Sequence, residues 1–474
     1  LTRAARQPVS WQPWGREAFA LAARLDRPVL LYVGADDCRW CVMMDREVYG
    51  DPTIGAVIDS LFVPVRVDRD ERPDVAQRYE AAVQWLAGLR GYPLTLFLTP
   101  DGSAFLGGTY FPADDPVTGR GMKQMLPEVA RGYREQRRAI DQHAALVRQL
   151  ALSRGAAARG ALRPGVIAAA IDTVRDALAA AARGGGVLGS FVHTQAAALL
   201  LAAYARTDDT SYLVVARRAL DLLVDSAAGA SSPAAGVRDD PPSLVRAGLL
   251  RAVALAWALT AEPRYRVVSG ALLRFLTRDL GEADRPVFAD RDAYVIGSVL
   301  DGAAAVDDSA ATARGMAALD RLLRRTYVAR RGVRHGLRGD AGRSWLRDQV
   351  QVAGACLAAY NATGRRRYLA VAEDLAAVLQ REYADPQGGY RDLAAGDPAV
   401  SSLADRTSSV LDDLLPGGNA WAARVLLQLA EATGDAQYRR RAEAALGAFA
   451  AVAPGHNVRA ATYLGAAQQL LAAR

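Results

Sequence analysis

Apolar and polar positions divide the chain into two regimes. In the first, short unbroken apolar runs alternate with helical patterns. Pro28-Val29-Leu30-Leu31-Tyr32-Val33, Leu61-Phe62-Val63-Pro64-Val65-Arg66-Val67 and Leu94-Thr95-Leu96-Phe97-Leu98 are each too short for a buried helix and rich in β-branched residues, which predicts strands. A helix through about Tyr49 follows the first run, and residues 74–85 read as another. The turn Thr99-Pro100-Asp101-Gly102 separates the third run from a further strand around Phe105. Strands interleaved with helices make this region α/β.

The second regime is helical throughout. Ser153-Arg154-Gly155-Ala156-Ala157-Ala158-Arg159-Gly160 and Arg163-Pro164-Gly165 break a long helical stretch, so the sequence predicts a domain at 1–150, a linker at 151–165 and an all-α domain at 166–474. A repeat marks the latter: Thr207 and Tyr212, Thr260 and Tyr265, Thr363 and Tyr368, Thr433 and Tyr438 share one spacing. Each threonine closes an alanine- and leucine-rich helix and each tyrosine opens the next, predicting helical hairpins in an array that stays open or closes into a toroid. The wider gap between Thr260 and Thr363 leaves room for one degenerate pair, jointed at Val306-Asp307-Asp308-Ser309. The tyrosines read as packing residues.

Composition narrows the function classes. At 474 residues with 51% hydrophobic content, the chain is too long for one ordinary core. The net charge of +7 comes from dispersed arginine. Arg137-Arg138, Arg324-Arg325 and Arg365-Arg366-Arg367 are short and lack neighbouring aromatic platforms, which argues against nucleic acid as a partner. No uncharged apolar run reaches the length of a membrane span. Leu1 begins the sequence, consistent with an upstream signal peptide or anchor and equally with a start lying further upstream; the reading leans to an extracytoplasmic, periplasmic location.

The candidate chemistry is concentrated in Cys38-Arg39-Trp40-Cys41, directly after the first apolar run. A helix N-terminus places partial positive charge and unpaired N–H groups beside the first sulfur, and the second lies one turn on. Cys38 is therefore the expected attacking thiol and Cys41 the resolving one. Arg39 should favour the thiolate; Asp36 and Asp37 should oppose it. The competing uses of this spacing are half of a zinc site and an inert structural pair. Cys356, the one other cysteine, is far downstream, and zinc normally takes four ligands.

Six segments occur in register: Trp11-Gln12-Pro13-Trp14-Gly15-Arg16-Glu17-Ala18-Phe19, the CxxC, Val67-Asp68-Arg69-Asp70-Glu71-Arg72-Pro73-Asp74, Gly91-Tyr92-Pro93, Phe97-Leu98-Thr99-Pro100-Asp101-Gly102 and Gly107-Gly108-Thr109-Tyr110-Phe111-Pro112. On these the chain resembles the two-domain thioredoxin-like family long labelled a domain of unknown function, which includes the spermatogenesis-associated thioredoxin-like proteins. The resemblance implies a thioredoxin fold, with Pro93 cis and facing the sulfurs. Tyr92 and Pro93 would offer a docking edge and Trp40 would shape the surface. The family carries histidine where this chain has Arg39, which substitutes a permanent cation for a titratable neighbour.

For the second domain the resemblance implies an (α/α)-barrel like those of sugar epimerases and six-hairpin glycosidases. Gly388-Gly389-Tyr390-Arg391-Asp392 and Pro416-Gly417-Gly418-Asn419-Ala420 match the family's loops. The barrel candidates are Asp290, Asp292, Asp348, Asp392, Asp405 and Asn419, each also readable as a cap or turn residue. Two family motifs are absent: Gly184 to His193 replaces a glycine-rich run into Ala-Pro-Lys-Phe-Pro, and Pro241-Pro242-Ser243-Leu244-Val245-Arg246 replaces Pro-His-Phe-Glu-Lys. His143, His193, His335 and His456 show no metal-ligand spacing, so neither a metal nor another cofactor is expected. Three functions follow. One is a thiol-disulfide oxidoreductase or redox-responsive protein acting on protein thiols or disulfides, its barrel degenerate and kept for binding. Another is a non-catalytic scaffold subunit within an assembly, and the third a carbohydrate-active enzyme using the barrel.

Overall fold

A computed structural model of the chain describes residues 4–36, 38–118, 120–153, 157–185, 191–228, 242–280, 287–336, 344–394 and 407–472. They divide into two compact units, within residues 4–153 and 157–472.

The first unit is a five-stranded sheet flanked by helices. In chain order it contains β1 (Gln12–Pro13), α1 (Arg16–Leu25), β2 (Val29–Gly34), α2 (Arg39–Glu47), α3 (Pro52–Leu61), β3 (Val63–Asp68), α4 (Pro73–Ala87), β4 (Leu94–Leu98), β5 (Ala104–Gly108), α5 (Met122–Glu135) and α6 (Arg137–Ser153). The strand order is β1-β3-β2-β4-β5, with β1, β3 and β2 parallel and β4 and β5 antiparallel to their neighbours. Every residue of β2 and β4 is buried, as an unbroken apolar run requires of a central strand. Val33 pairs with Val67 on one side and Leu94 on the other, so α2 leaves the sheet at the end where the Pro93 loop arrives. The Tyr92–Pro93 peptide is cis.

Helix α3 is the element that hydrophobic patterning passes over, and it shortens the predicted strand that follows. Leu61 ends α3, and the Phe62 N–H still bonds to the Ile58 carbonyl, so β3 begins at Val63. The signal was local: Asp51 accepts from the Thr53 and Ile54 N–H groups and Pro52 takes the first helical position.

The second unit is helical apart from one short hairpin. It comprises α7 (Pro164–Ala180), α8 (Phe191–Thr207), α9 (Thr210–Ala228), α10 (Pro242–Thr260), α11 (Pro263–Asp279), α12 (Ala289–Val306), α13 (Ser309–Thr326), the two-residue strands β6 (Tyr327–Val328) and β7 (Gly332–Val333), α14 (Leu346–Thr363), α15 (Arg366–Val378), α16 (Gly418–Thr433), α17 (Ala436–Gly447) and α18 (Ala461–Ala472). Helices α8, α10, α12, α14, α16 and α18 pack each against the next, and α18 packs on α8, closing a ring. Outside it, α9, α11, α13, α15 and α17 pair with the preceding inner helix, and α7 pairs with α18. The array is therefore a closed (α/α) toroid of six hairpins.

The threonine repeat builds the joints. Thr207, Thr260, Thr363 and Thr433 each end an inner helix and donate to the carbonyl four residues back. Each hydroxyl also accepts the N–H two residues on, from Asp209, Glu262, Arg365 and Asp435. Tyr265 and Tyr368 are buried at the start of the following helices, with Arg264 and Arg367 over their rings. The degenerate pair is α12 and α13, jointed at Asp307, which adopts the left-handed conformation, and Asp308, which caps α13. Among the described residues one helix, 243–260, is long and apolar enough to cross a membrane. It carries Arg246 and Arg251 and packs against α8, α11 and α12, as a core helix of the ring does.

Candidate functional site

Cys38 is the N-cap of α2, and its Sγ accepts from the Cys41 N–H at 3.1 Å. Cys38 and Cys41 form a disulfide and are 2% and 1% exposed. Arg39 projects to solvent, and Trp40 lies half-buried against Tyr110, with ring centroids 5.0 Å apart. Tyr110 of the Gly-Gly-Thr-Tyr-Phe-Pro segment thus packs on the residue that precedes Cys41. Asp36 is exposed, and Asp37 lies outside the described residues.

A polar network anchors α2 from below. Asp45, on the buried side of the helix, makes a bidentate pair with Arg66 of β3 at 2.6 and 2.8 Å. The Arg66 guanidinium lies over the rings of Tyr32 and Trp11. The Tyr32 hydroxyl donates to the Cys41 carbonyl at 3.2 Å; burial, then the Asp45 charge, hold its pKa well above the phenol's usual value. Arg69 stands over the Tyr92 ring while pairing with Asp70, so the Asp-Arg-Asp-Glu-Arg-Pro-Asp segment supports the residue before Pro93. Asp68, accepting from the Asp70 and Glu71 N–H groups, is pushed up to about 6 by burial and the Asp70 charge.

In the toroid the structure separates the candidates by role. Asn419 spans the Tyr390 N–H and carbonyl and the Ser409 carbonyl, so it ties two loops to the start of α16. Asp392 accepts from Thr407 and Ser409 in the same way. Both side chains are consumed in loop anchoring. Asp292 is buried in the first turn of α12, and Asp405 lies outside the described residues, as do Gly186 to Ser190 and Pro241.

Asp290 and Asp348 meet at one place, together with a residue that sequence reasoning did not select. His335 Nδ1 is 2.7 Å from Asp348 Oδ1 and 3.8 Å from Asp290 Oδ1. The other Asp348 oxygen accepts from the Trp345 N–H, and the Trp345 ring stands edge-on to the imidazole. Arg347 Nε approaches Asp290 at 3.7 Å, and its terminal nitrogen approaches Asp413 at 3.3 Å. Burial opposes the Arg347 charge, but the carboxylates of Asp413, Asp290, Asp392 and Asp348 outweigh it and raise its pKa. Burial raises Asp348, with His335 opposing. The constellation sits where α12 and α14 begin, because the outer-to-inner connections carry His335 and Trp345 to that rim.

Deeper in the ring, Arg251 of α10 lies 5.3 Å from the centroid of the Trp421 ring of α16. These helices are not neighbours, so the contact crosses the interior. Tyr294 joins it from α12, its hydroxyl accepting from Gln195 of α8. On α14, Gly354 leaves the space that the Trp421 indole nitrogen fills.

Comparison with known proteins covers the two units differently. The chain is 37% identical to human spermatogenesis-associated protein 20 over 154 residues and 36% identical to a Caenorhabditis elegans protein, B0495.5, over 150. The match takes in 32% of this chain, and the chain spans about a fifth (20% and 21%) of the length of these relatives. A solved heparin-specific unsaturated glucuronyl hydrolase overlays 66% of this chain and 98% of its own, with a TM-score of 0.49 and 14% identity. Cellobiose 2-epimerase from Bacillus thermoamylovorans overlays 54% of this chain and 74% of its own, with a TM-score of 0.44 and 12% identity. Residues 1–151 match a family model described as "Protein of unknown function, DUF255" (Thioredox_DsbH), so the N-terminal part of the chain is similar to that family.

Proposed function

We propose that the N-terminal domain carries out thiol–disulfide exchange at Cys38 and Cys41. The observation that carries this reading is the N-cap position of Cys38, with the Cys41 N–H directed at its sulfur. The same N–H and the helix dipole favour the Cys38 thiolate in the reduced protein. That thiolate attacks one sulfur of a partner disulfide, expelling the other as thiolate and leaving a mixed disulfide. Cys41, having given up its proton, then attacks the Cys38 sulfur and frees the second partner thiolate. Two electrons pass to the partner and the cysteines end as a disulfide. The reverse sequence oxidises a dithiol.

Both sulfurs are nearly enclosed, and Trp40, which lies between them in the chain and packs on Tyr110, would border the approach of a partner chain. Insulin reduction with dithiothreitol as electron donor tests the reading, with Cys38→Ser as control. Turnover above the dithiothreitol background that disappears in the variant supports it. Equal rates for both proteins would sink it.

A further inference from the structure

We propose that Asp290, His335 and Asp348 bind a divalent transition-metal ion at the rim of the helical toroid, with Gln351 supplying a further, neutral oxygen. The three charged or imidazole donors come from three separate segments, and their ligand atoms all lie within 4.8 Å of one another. All are buried: Asp290 is 3% exposed, His335 4% and Asp348 0%. Tetrahedral coordination with bonds of about 2.1 Å sets neighbouring ligand atoms about 3.4 Å apart. The observed separations from His335 Nδ1, 2.7 and 3.8 Å, straddle that value. Small side-chain rotations suffice.

Charge points the same way. Among the described residues, Arg347 is the arginine that approaches Asp290, at 3.7 Å, and it is shared with Asp413 at 3.3 Å, while Asp290 and Asp348 both face His335. Buried carboxylates are stabilised by a cation or a metal, and a divalent ion meets both at once.

Gln351 is the independent observation. It is 1% exposed, yet neither its amide oxygen nor its nitrogen has a hydrogen-bond partner. An unpaired buried amide costs about 1–3 kcal/mol, so it calls for a ligand. On α14 it lies about 40° round the helix from Arg347 and about 60° from Asp348, between the two residues that face the cluster. Helical side chains lean toward the N-terminus, which carries this amide toward the turn bearing Asp348.

The donor set selects the ion. One imidazole nitrogen with carboxylate and amide oxygens suits Mn²⁺, Fe²⁺, Co²⁺ or Zn²⁺ and disfavours both thiophilic Cu⁺ and all-oxygen Ca²⁺ sites. On binding, the imidazole takes the Nε2–H tautomer, and the His335–Asp348 hydrogen bond gives way to two bonds to the metal.

The test uses the full chain carrying Cys38→Ser and Cys41→Ser, so that no CxxC thiolate competes. After treatment with chelator, Co²⁺ is titrated while visible d–d absorption is followed. One ion per chain is expected, displaced by Zn²⁺ and not by Ca²⁺. His335→Gln and Asp290→Asn should each weaken binding by at least about tenfold. Circular dichroism checks folding; if His335→Gln unfolds, the near-isosteric Asp290→Asn decides alone. Absence of Co²⁺ binding at millimolar concentration overturns the proposal and leaves His335 as a strut between the β6–β7 hairpin and α14. Unchanged affinity in folded Asp290→Asn overturns it as well.

Discussion

The Sγ of Cys38 accepts from the Cys41 N–H at 3.1 Å, so the residue that starts α2 is electrostatically tied to the residue one turn along it. Under the proposed exchange chemistry, this donor would favour charge on Cys38 over Cys41 in the reduced protein. The two cysteines would then be chemically unequal before any partner arrives.

That inequality gives the first prediction. In Cys41→Ser, the rate of iodoacetamide reaction at Cys38 should show a midpoint below the ordinary thiol value of about 8.5. The same variant should trap a mixed disulfide with a partner, seen as a mass increase reversed by reductant. A midpoint at or above the ordinary value would contradict thiolate stabilisation by the helix terminus.

The Asp45–Arg66 pair anchors α2 to β3 with both side chains less than a fifth exposed, at 18% and 12%. Asp45→Ala should lower unfolding free energy by about 3 kcal/mol, because it strands a guanidinium between Tyr32 and Trp11. Urea denaturation of the wild type and variant measures this. Replacing both residues with apolar ones should recover part of the loss; a larger loss would show that the pair contributes more than mutual compensation.

Gly354 matters through the atom it lacks. A Cβ there would stand 2.8 Å from the Trp421 indole nitrogen, so Gly354→Ala should destabilise the toroid by about 1–3 kcal/mol. Trp421→Phe removes that nitrogen. The alanine should then cost less, with a coupling of at least about 0.5 kcal/mol in the double-mutant cycle. Additive effects would show that the two residues do not press on each other.

Asp412 provides a pH test. It is fully buried, and burial pushes its pKa up to about 7 despite hydrogen bonds from the Gly417 and Thr462 N–H groups. The native state therefore holds a proton that the unfolded chain releases near pH 4. Stability from this group is fully present below that value and declines as pH rises toward and through 7. Asp412→Asn should flatten this part of the thermal stability profile between pH 5 and 8. An unchanged slope in the variant would assign it to other groups.

Legibility in the sequence followed the range of the interactions involved. The apolar runs at 28–33 and 94–98 announced β2 and β4, because a strand buried on both faces must be apolar at every position. The recurrent threonine and tyrosine announced the joints, because each threonine bonds only to its own chain within four residues. Helix α3 was missed although Asp51 and Pro52 carry a capping signal, since the apolar content of residues 54–62 hides the change from helix to strand. Asp392 and Asn419 read in one dimension as barrel candidates or as cap and turn residues alike, and only their hydrogen-bond partners show them as loop anchors.

Local sequence determined the elements, the thioredoxin-like order of the first domain, the CxxC at a helix start and the hairpin repeat of the second. Those features arise from hydrogen bonds and hydrophobic periods that span a few residues, and the chain states them wherever they occur. Closure of the ring decided the rest. His335 meets Asp348, 13 residues on, and Asp290, on another helix; Arg251 meets Trp421 across the interior. No spacing rule links such residues, because their proximity is set by how six hairpins curve until α18 packs on α8. A histidine without a helical partner reads as isolated in one dimension, and tertiary packing gives it two buried carboxylates.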